Sequence, residues 1–469
     1  MKLVSVLLFL LAAALAGASD GSAQVSVPQS REQIALSFAP LVKQVTPAVV
    51  NIYTQRTIQQ RVSPLFSDPL FREFFGGALP HGMTRERMEH SLGSGVIVRA
   101  DGLVVTSHHV IQDAEQIRVV LSDRREFDAN VVMSDERSDL AVLRVESKGE
   151  VFPFVPLKDS DEAQVGDLVL AIGNPFGVGQ TVTSGIISAL THKAIGAGDL
   201  GYFIQTDAAI NPGNSGGALV TMDGKLIGIN AAIYSRDGGN MGIGFAVPSN
   251  MVRVLMGAVA QGKKRVTHPW VGIDGQEVSQ SIALSLGMPQ PMGYLIKNIH
   301  PASPAGKAGV KPGDAIISIN GRAIEDPQAF RYRIAELPIG SEAEFGLLRN
   351  GQKSSVRVSM IAPPEDPPRD ETTVTGRNPA SGAKIANLSP AVAEEMGLKN
   401  TLKGVVVTEV KSGSIASRIG LGVGDILAEV NGEPISNVGG AVGLLKKETG
   451  GWRIKIRRGG SEIMLMLGG

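Results

Sequence analysis

Apolar positions along the chain follow two periods, and these predict its elements. In "SFAPLVKQVTPAVVNI", Phe38, Leu41 and Val45 share helical spacing before Val49 and Ile52 switch to a strand-like pattern, so a short helix should lead into the first sheet. Between residues 93 and 247, short apolar runs recur between turn signals: "GVIVRADGLVVTS", "IRVVLSD", "DLAVLRV", "DLVLAIG", "TSGIISAL", "KLIGINAAIY" and "IGFAVPS". Asp101-Gly102 and Asp223-Gly224 sit where hairpin turns are needed. Many short strands of this kind predict a barrel or a sandwich. Residues 55–91, with "SPLFSDPLFREFFGG", show no clean period and read as a long loop or an assembly surface, with 70–75 as the candidate contact. Beyond the strands, Ser249 reads as the N-cap of a helix over "NMVRVLMGAVAQG".

Two punctuations then divide the chain. "GKKRV" at 262–266 is a basic connector, and "APPEDPPRDE" at 362–371 stacks prolines and charges that suit neither a helix nor a central strand. The parts flanking the second connector repeat each other. Residues 293–324 align without gaps to 404–435, which sets Gly313-Asp314 over Gly424-Asp425 and Asn320-Gly321 over Asn431-Gly432. Turn residues held in register mark a duplicated unit, each copy reading as strand, short helix, strand and turn. A length of 469 residues accommodates three domains at roughly 100 to 200 residues each.

Composition narrows the chemistry more than the fold. With 43% hydrophobic residues and 57 glycines, the chain can build real cores from short strands and tight turns. Its 45 basic residues balance 45 acidic ones, which leaves no field of one sign to hold nucleic acid or an anionic membrane. Cysteine is absent, which excludes disulfides, thiolate catalysis and cysteine-ligated zinc. No nucleotide-binding motif occurs, so an activity independent of ATP, with neither cofactor nor metal, is expected. At the N-terminus Lys2 precedes an apolar run over 3–18 and then small residues, which reads as a secretory signal peptide over 1–23. The run is shorter than the roughly 20 residues that cross a bilayer. An exported, soluble protein with no membrane span after signal removal is expected.

The strongest chemical signal is "DAAINPGNSGGAL" at 207–219. Ser215 stands among small residues, where the backbone can turn sharply and nothing bulky blocks a substrate carbonyl. The N–H groups of Gly213 and Ser215, with Asn214 between them, are the candidate oxyanion hole. A glycine-rich hairpin with a solvent-facing serine is the ordinary alternative. A serine hydroxyl needs a base, and the base needs an orienter. "TSHHVI" at 106–111 offers histidine, and Asp139 heads the alternating apolar strand of "SDERSDLAVLRV". The order His109, Asp139, Ser215 is that of chymotrypsin-type triads. On an extended segment His108 and His109 would project to opposite sides, so the pair should not chelate one metal.

On these motifs the sequence resembles the HtrA/Deg family of serine proteases. The family's T-N-x-H-V, T-D-L-A-V-L-K and G-N-S-G-G-A-L signatures correspond to 106–110, 138–144 and 213–219, and "GNPFG" at 173–177 and "TSGIISAL" at 183–190 match as well. The resemblance spans almost the whole mature chain. It implies a mainly β protein: a two-barrel trypsin-like (chymotrypsin-fold) protease domain over 24–258, a first PDZ domain over 259–361, a Pro-rich linker over 362–371 and a second PDZ domain over 372–469. It implies His109 as general base, Asp139 as the residue that holds its ring, Ser215 as nucleophile and His108 as a bystander. An imidazole must be neutral to take the serine proton, so activity is expected to fall as pH drops toward about 6 to 7. A pH profile flat down to about 5 would contradict this assignment.

Neighbouring positions carry further expectations from the resemblance. Trypsin-like enzymes activated by clipping place an aspartate just before the nucleophile to pair with the new N-terminus. Asn214 cannot form that ion pair, so activation is expected to be conformational. Ala209 stands at the floor of the specificity pocket with Ile210 beside it and Met241 and Ile243 facing it. Such an uncharged pocket should take Val, Ala or Ile at P1 and reject Lys and Arg. Ser107 replaces the family's asparagine. His192 and Lys193 stand near an arginine that in the family relays signals from the PDZ side. Trp270, Val271, Gly272 and Ile273 ("WVGI") resemble a loop that receives the carboxylate of an added peptide strand. In the second repeat "SGAKIANL" conforms poorly, so docking or assembly is an equal expectation there. The family implies homotrimers, with larger cages possible. It implies a periplasmic endoprotease of misfolded or unfolded exported proteins that captures hydrophobic C-terminal peptides. A PDZ-based peptide-binding chaperone with secondary proteolysis is the alternative.

Overall fold

A computed structural model of the protein describes residues 37–60, 85–147, 149–174, 179–191, 201–211, 213–233, 242–263, 265–398, 403–447 and 450–468. Two units divide the chain, Met1–Gln44 and Val45–Gly469. In the first, the described residues open helix α1 (Ala39–Val45). The signal segment 1–23 lies outside the described residues.

The second unit starts with two closed barrels. Strands β1 (Val49–Gln60), β2 (Arg85–Arg99), β3 (Leu103–Ser107), β4 (Gln116–Val120), β5 (Glu126–Asp135) and β6 (Leu140–Val145) close in the order β1-β2-β3-β6-β5-β4, with the single-turn helix α2 (His108–Ile111) following β3. Strands β7 (Leu168–Gly173), β8 (Thr181–Thr191), β9 (Phe203–Thr206), β10 (Ala218–Thr221), β11 (Leu226–Ile233) and β12 (Gly244–Pro248) close in the order β10-β11-β12-β9-β8-β7. Closure removes the open sheet edges that short strands would otherwise expose. On β4, "QIRVV" alternates exposed and buried positions, as a half-covered strand must. β6 departs from the expected alternation: its first four residues are all buried, because helix α3 (Ser249–Ala260) covers its outer face. That helix starts one residue earlier than expected, at Ser249 itself. Pro248 is the N-cap, and the Ser249 hydroxyl instead donates to the Lys158 carbonyl at 2.6 Å.

The aperiodic stretch after Gln55 also differs from its expected loop. β1 continues to Gln60 and pairs in antiparallel register with β2 from Arg85, Gln55 facing His90 and Gln60 facing Arg85. A ladder is made by backbone groups, so it can run on where the side-chain pattern gives no period. Residues 61–84, including the candidate contact 70–75, lie outside the described residues.

Two antiparallel sheets follow. The first holds β13 (Ile273–Glu277), β14 (Tyr294–Ile299), β15 (Ala315–Ile319), β16 (Arg322–Ala323), β17 (Glu342–Arg349) and β18 (Gln352–Ser359), with helix α4 (Pro327–Ala335) against β13. The second holds β19 (Thr372–Thr373), β20 (Ala383–Asn387), β21 (Val405–Val410), β22 (Ile426–Val430), β23 (Glu433–Pro434), β24 (Gly451–Arg458) and β25 (Ser461–Gly468), with helices α5 (Pro390–Glu395) and α6 (Val438–Leu445). The repeated Asn-Gly turns have positive φ at both residues, 49° and 77° in the first copy and 51° and 84° in the second. That is the twist a two-residue hairpin requires, and it explains why Asn and Gly recur in register. The repeated Gly-Asp pair does more than turn the chain. Asp314 and Asp425 are each 1% exposed, and each carboxylate is gripped by the fork of a guanidinium, from Arg349 and Arg458 at 2.6 to 2.7 Å.

Polar contacts tie these sheets to the barrels. Arg333 of α4 donates to Asp161 at 2.6 Å, Tyr202 stacks on Tyr332 with ring centroids 3.9 Å apart, and Arg137 pairs with Glu394 of α5. Burial pushes the Tyr202 hydroxyl up to about 12, so it stays neutral in this seam.

Candidate active site

β3 delivers the histidine. Thr106 and Ser107 end the strand fully buried, Ser107 keeps extended backbone at φ −76° and ψ 142°, and the chain then coils into α2. His108 and His109 therefore sit on a helical turn rather than on the expected extended segment, about 100° apart around its axis. His108 turns to β5, where its Nδ1 lies 2.5 Å from Ser134 Oγ. His109 turns the other way, toward Asp139.

Asp139 closes the β5–β6 turn with a positive φ of 54°, a conformation aspartate tolerates better than most residues. The turn is clamped twice: the His108 N–H donates to the Asp139 carbonyl at 3.0 Å, and the His109 N–H donates to Asp139 Oδ1 at 3.0 Å. His109 Nδ1 lies 2.8 Å from Oδ2 and 3.0 Å from Oδ1. This bond places the proton on Nδ1 and leaves the lone pair on Nε2. The carboxylate is nearly buried while the imidazole is 45% exposed, so the ring's outer edge is open to a substrate.

Four residues before Asp139, Asp135 braces the same turn. Burial works to raise its carboxyl, but the His268 imidazole 3.4 Å away, the Ser138 hydroxyl at 2.6 Å and nearby Arg137 outweigh it and hold Asp135 below the usual carboxylate range. Neither Asp135 nor His268 stood out in the sequence, since a lone His before Pro-Trp carries no motif.

The serine turn comes from the second barrel and is locked onto the first by Ser94 of β2. Ser94 donates its N–H to the Ser215 carbonyl at 2.8 Å and its Oγ to the Gly213 carbonyl at 2.6 Å, and that Oγ accepts the Asn174 N–H at 2.9 Å. Gly216 shows why the run must be small. It has a φ of 81°, and a Cβ there would lie 2.1 Å from the Ser94 carbonyl and 2.3 Å from Thr106 Oγ1. Ser107, in the place of the family's asparagine, reaches the Asn230 carbonyl at 3.4 Å. Asn230 in turn accepts the Gly216 N–H at 2.7 Å, so Ser107 braces the serine turn from behind.

Ser215 Oγ donates to the Ala231 carbonyl at 3.2 Å, and among the described residues no hydrogen bond joins it to His109. A rotation about χ1 must precede proton transfer to Nε2. Such catalytic hydrogen bonds often tighten only when substrate is bound. The expected oxyanion set needs one correction. The Asn214 N–H already donates to the Asn211 carbonyl at 2.9 Å, which leaves Gly213 and Ser215, whose N–H groups have no backbone acceptor among the described residues. The Asn214 side chain is fully buried, and no partner for it is found among the described residues.

The other candidate residues are distributed unevenly. Ala209 is half-buried and its carbonyl accepts the Thr183 hydroxyl at 2.8 Å; Ile243 is also half-buried. Ile210 is 1% exposed and belongs to the second barrel's core, so its side chain is not open to a substrate. Met241, His192 and Lys193 lie outside the described residues. Trp270, Val271 and Gly272 are buried, Gly272 at a φ of 69°, and Ile273 starts β13. Among the described residues no group of three or more His, Asp or Glu could hold a metal ion.

Comparison with known proteins agrees with this architecture. A trypsin-like peptidase domain family matches residues 93–229, and PDZ domain families match 239–360 and 406–458. The periplasmic serine endoprotease DegP of Salmonella typhimurium (strain LT2) is 37% identical over 485 residues, covering 99% of this chain and 98% of that protein. The periplasmic pH-dependent serine endoprotease DegQ of Escherichia coli (strain K12) is 37% identical over 448 residues, covering 95% of this chain and 94% of that protein. Among solved structures, the HtrA-type protease AlgW with a decapeptide matches at a TM-score of 0.52 and 42% identity, covering 70% of this chain and 99% of that one. Two barrels, two PDZ sheets and relatives matched over nearly their full length lead to one conclusion: the chain belongs to the HtrA/DegP family of serine endoproteases.

Proposed function

We propose that the protein is an ATP-independent endoprotease of unfolded exported polypeptides in the periplasm, with His109, Asp139 and Ser215 as its triad. The observation that carries this reading is the Asp139–His109 pair, held beside a serine turn that Ser94 bolts to the same barrel. In the reaction His109 Nε2 takes the Ser215 proton as Oγ attacks the scissile carbonyl, and Asp139 stabilises the imidazolium that forms. The N–H groups of Gly213 and Ser215 would receive the oxyanion. The leaving amine then takes the proton from His109, and water resolves the acyl-enzyme by the same relay. A signal over 1–23 would be removed on export, leaving the protease domain over 24–258 and PDZ domains over 259–361 and 372–469.

The pocket beside Ser215 has no charge at Ala209 or Ile243, so small aliphatic P1 residues are favoured. In a peptide library, cleavage after Val, Ala or Ile is expected to exceed cleavage after Arg by at least about 100-fold. Preferred cleavage after Arg would contradict the pocket assignment.

For the first PDZ domain we infer capture of hydrophobic C-terminal peptides along β13, with the carboxylate on the N–H groups of Val271 and Gly272. The AlgW structure with a decapeptide supports peptide recognition by a relative. Homotrimers, and a relay through His192 or Lys193, remain part of the proposal on family grounds.

A further inference from the structure

The two PDZ domains differ at the edge where an extended peptide would add. In the first, β13 pairs only with β14 among the described strands, so its outer edge is open. The N–H groups of Val271 and Gly272 find no backbone acceptor among the described residues. In the second, the matching edge of β20 is taken by β19. Thr372 pairs with Ile385 and Thr373 with Lys384, in antiparallel register.

The next residue completes the likeness to a bound peptide. The Val374 N–H donates to the Ala383 carbonyl at 2.8 Å, and the Gly382 N–H donates to the Val374 carbonyl at 2.9 Å. By strand register Gly382 takes the place of Gly272: the Lys411 N–H donates to the Gly382 carbonyl as the His300 N–H does to that of Gly272, both glycines have positive φ, and this is a loop position whose N–H would meet a terminal carboxylate. Val374 is 4% exposed and belongs to the apolar cluster that holds Val438, Ala441 and Leu445 of α6, the helix matching α4 of the first domain. Upstream, the Asn387 side chain donates to the Pro368 carbonyl at 2.8 Å, and Arg369 bonds both carboxylate oxygens of Glu395 on α5 at 2.7 and 2.9 Å. Residues 371–374 thus supply an edge strand, a carbonyl on the loop N–H and an aliphatic side chain in the core beside the helix.

We propose that the second PDZ domain is a C-terminal-peptide site occupied in cis by the chain's own Thr372-Thr373-Val374. Its ligand class is a peptide whose free carboxylate ends an extended segment on a small β-branched residue, as Thr-Thr-Val does. The proposal rests on the reading that these PDZ domains take C-terminal peptides. Val374 offers a neutral carbonyl where a free peptide offers a carboxylate, and a charged acceptor makes the stronger bond. The tethered segment nevertheless competes at an effective concentration on the order of millimolar. A free peptide is therefore weakened by about 100-fold or more in the resting chain, and the first domain does the capturing.

The test uses the full chain carrying Ser215→Ala, so that peptide is not cleaved, and a decapeptide ending in Thr-Thr-Val. Calorimetric titration counts sites per chain in this parent and in two variants. Val374→Ser removes the buried anchor. Thr373→Pro alters an exposed position and leaves the core side chains in place. Each variant is expected to gain one site over the parent, and the gain should vanish with the C-terminally amidated peptide. A change from one site to two means the first domain also binds. A change from none to one means that reading of the first domain fails while this proposal stands. An extra site already present in the parent would overturn the proposal. So would the absence of any gain in Thr373→Pro when hydrogen exchange shows 371–374 released and β24 still protected.

Discussion

Replacing Ser215 with alanine is expected to lower cleavage of an unfolded protein by about 10⁶-fold, to the background set by binding alone. The substitution removes one oxygen whose only bond among the described residues goes to the Ala231 carbonyl. The bonds that shape the turn run through the backbone of residues 213–217 and through Ser94, and these persist. Thermal unfolding and peptide binding should therefore match the parent. Residual proteolysis above about 0.1% of the parent rate would remove Ser215 from the nucleophile's role, since loss of a nucleophile costs far more than that.

The second large effect is expected at Asp139. Asp139→Asn should lower kcat by about 10⁴-fold with KM little changed. The reason lies in how its two oxygens are used. Oδ1 accepts the main-chain N–H of His109, and both oxygens lie within reach of Nδ1. An asparagine that keeps its carbonyl on the main-chain N–H must turn its NH2 toward Nδ1. The imidazole then carries its proton on Nε2, where it cannot accept one from Ser215. The comparison of kcat with KM checks this, because a merely structural loss of the turn would disturb both.

Much of the fold is legible in the sequence because barrel and PDZ strands are short apolar runs bounded by glycine, asparagine and aspartate at positions of positive φ, as at Gly102, Gly224, Asn320 and Asn431. The candidate triad is legible because its residues lie in short motifs of unusual composition. What escaped depends on contacts between segments far apart in the chain. Ser94 has no period, charge or motif, yet it holds the serine turn against the first barrel. Ile210 beside Ala209 suggested a pocket wall, but a strand connection can send one neighbour into the core and leave the next at the surface. The helical turn at His108 is too short to show a period. The β19 strand is two residues long and directly follows the proline-rich connector, and only its pairing with β20 reveals it.

The central claim is that His109 and Asp139 activate Ser215 for covalent catalysis. The most direct test is labelling of the full chain with a serine-reactive peptidyl phosphonate bearing Val at P1, followed by mass mapping of the adduct. One adduct per chain on Ser215 is predicted, with none in Ser215→Ala and labelling slowed by about 10⁴-fold in Asp139→Asn. An adduct on another residue, or labelling of Ser215 at an unchanged rate in Asp139→Asn, would contradict the account.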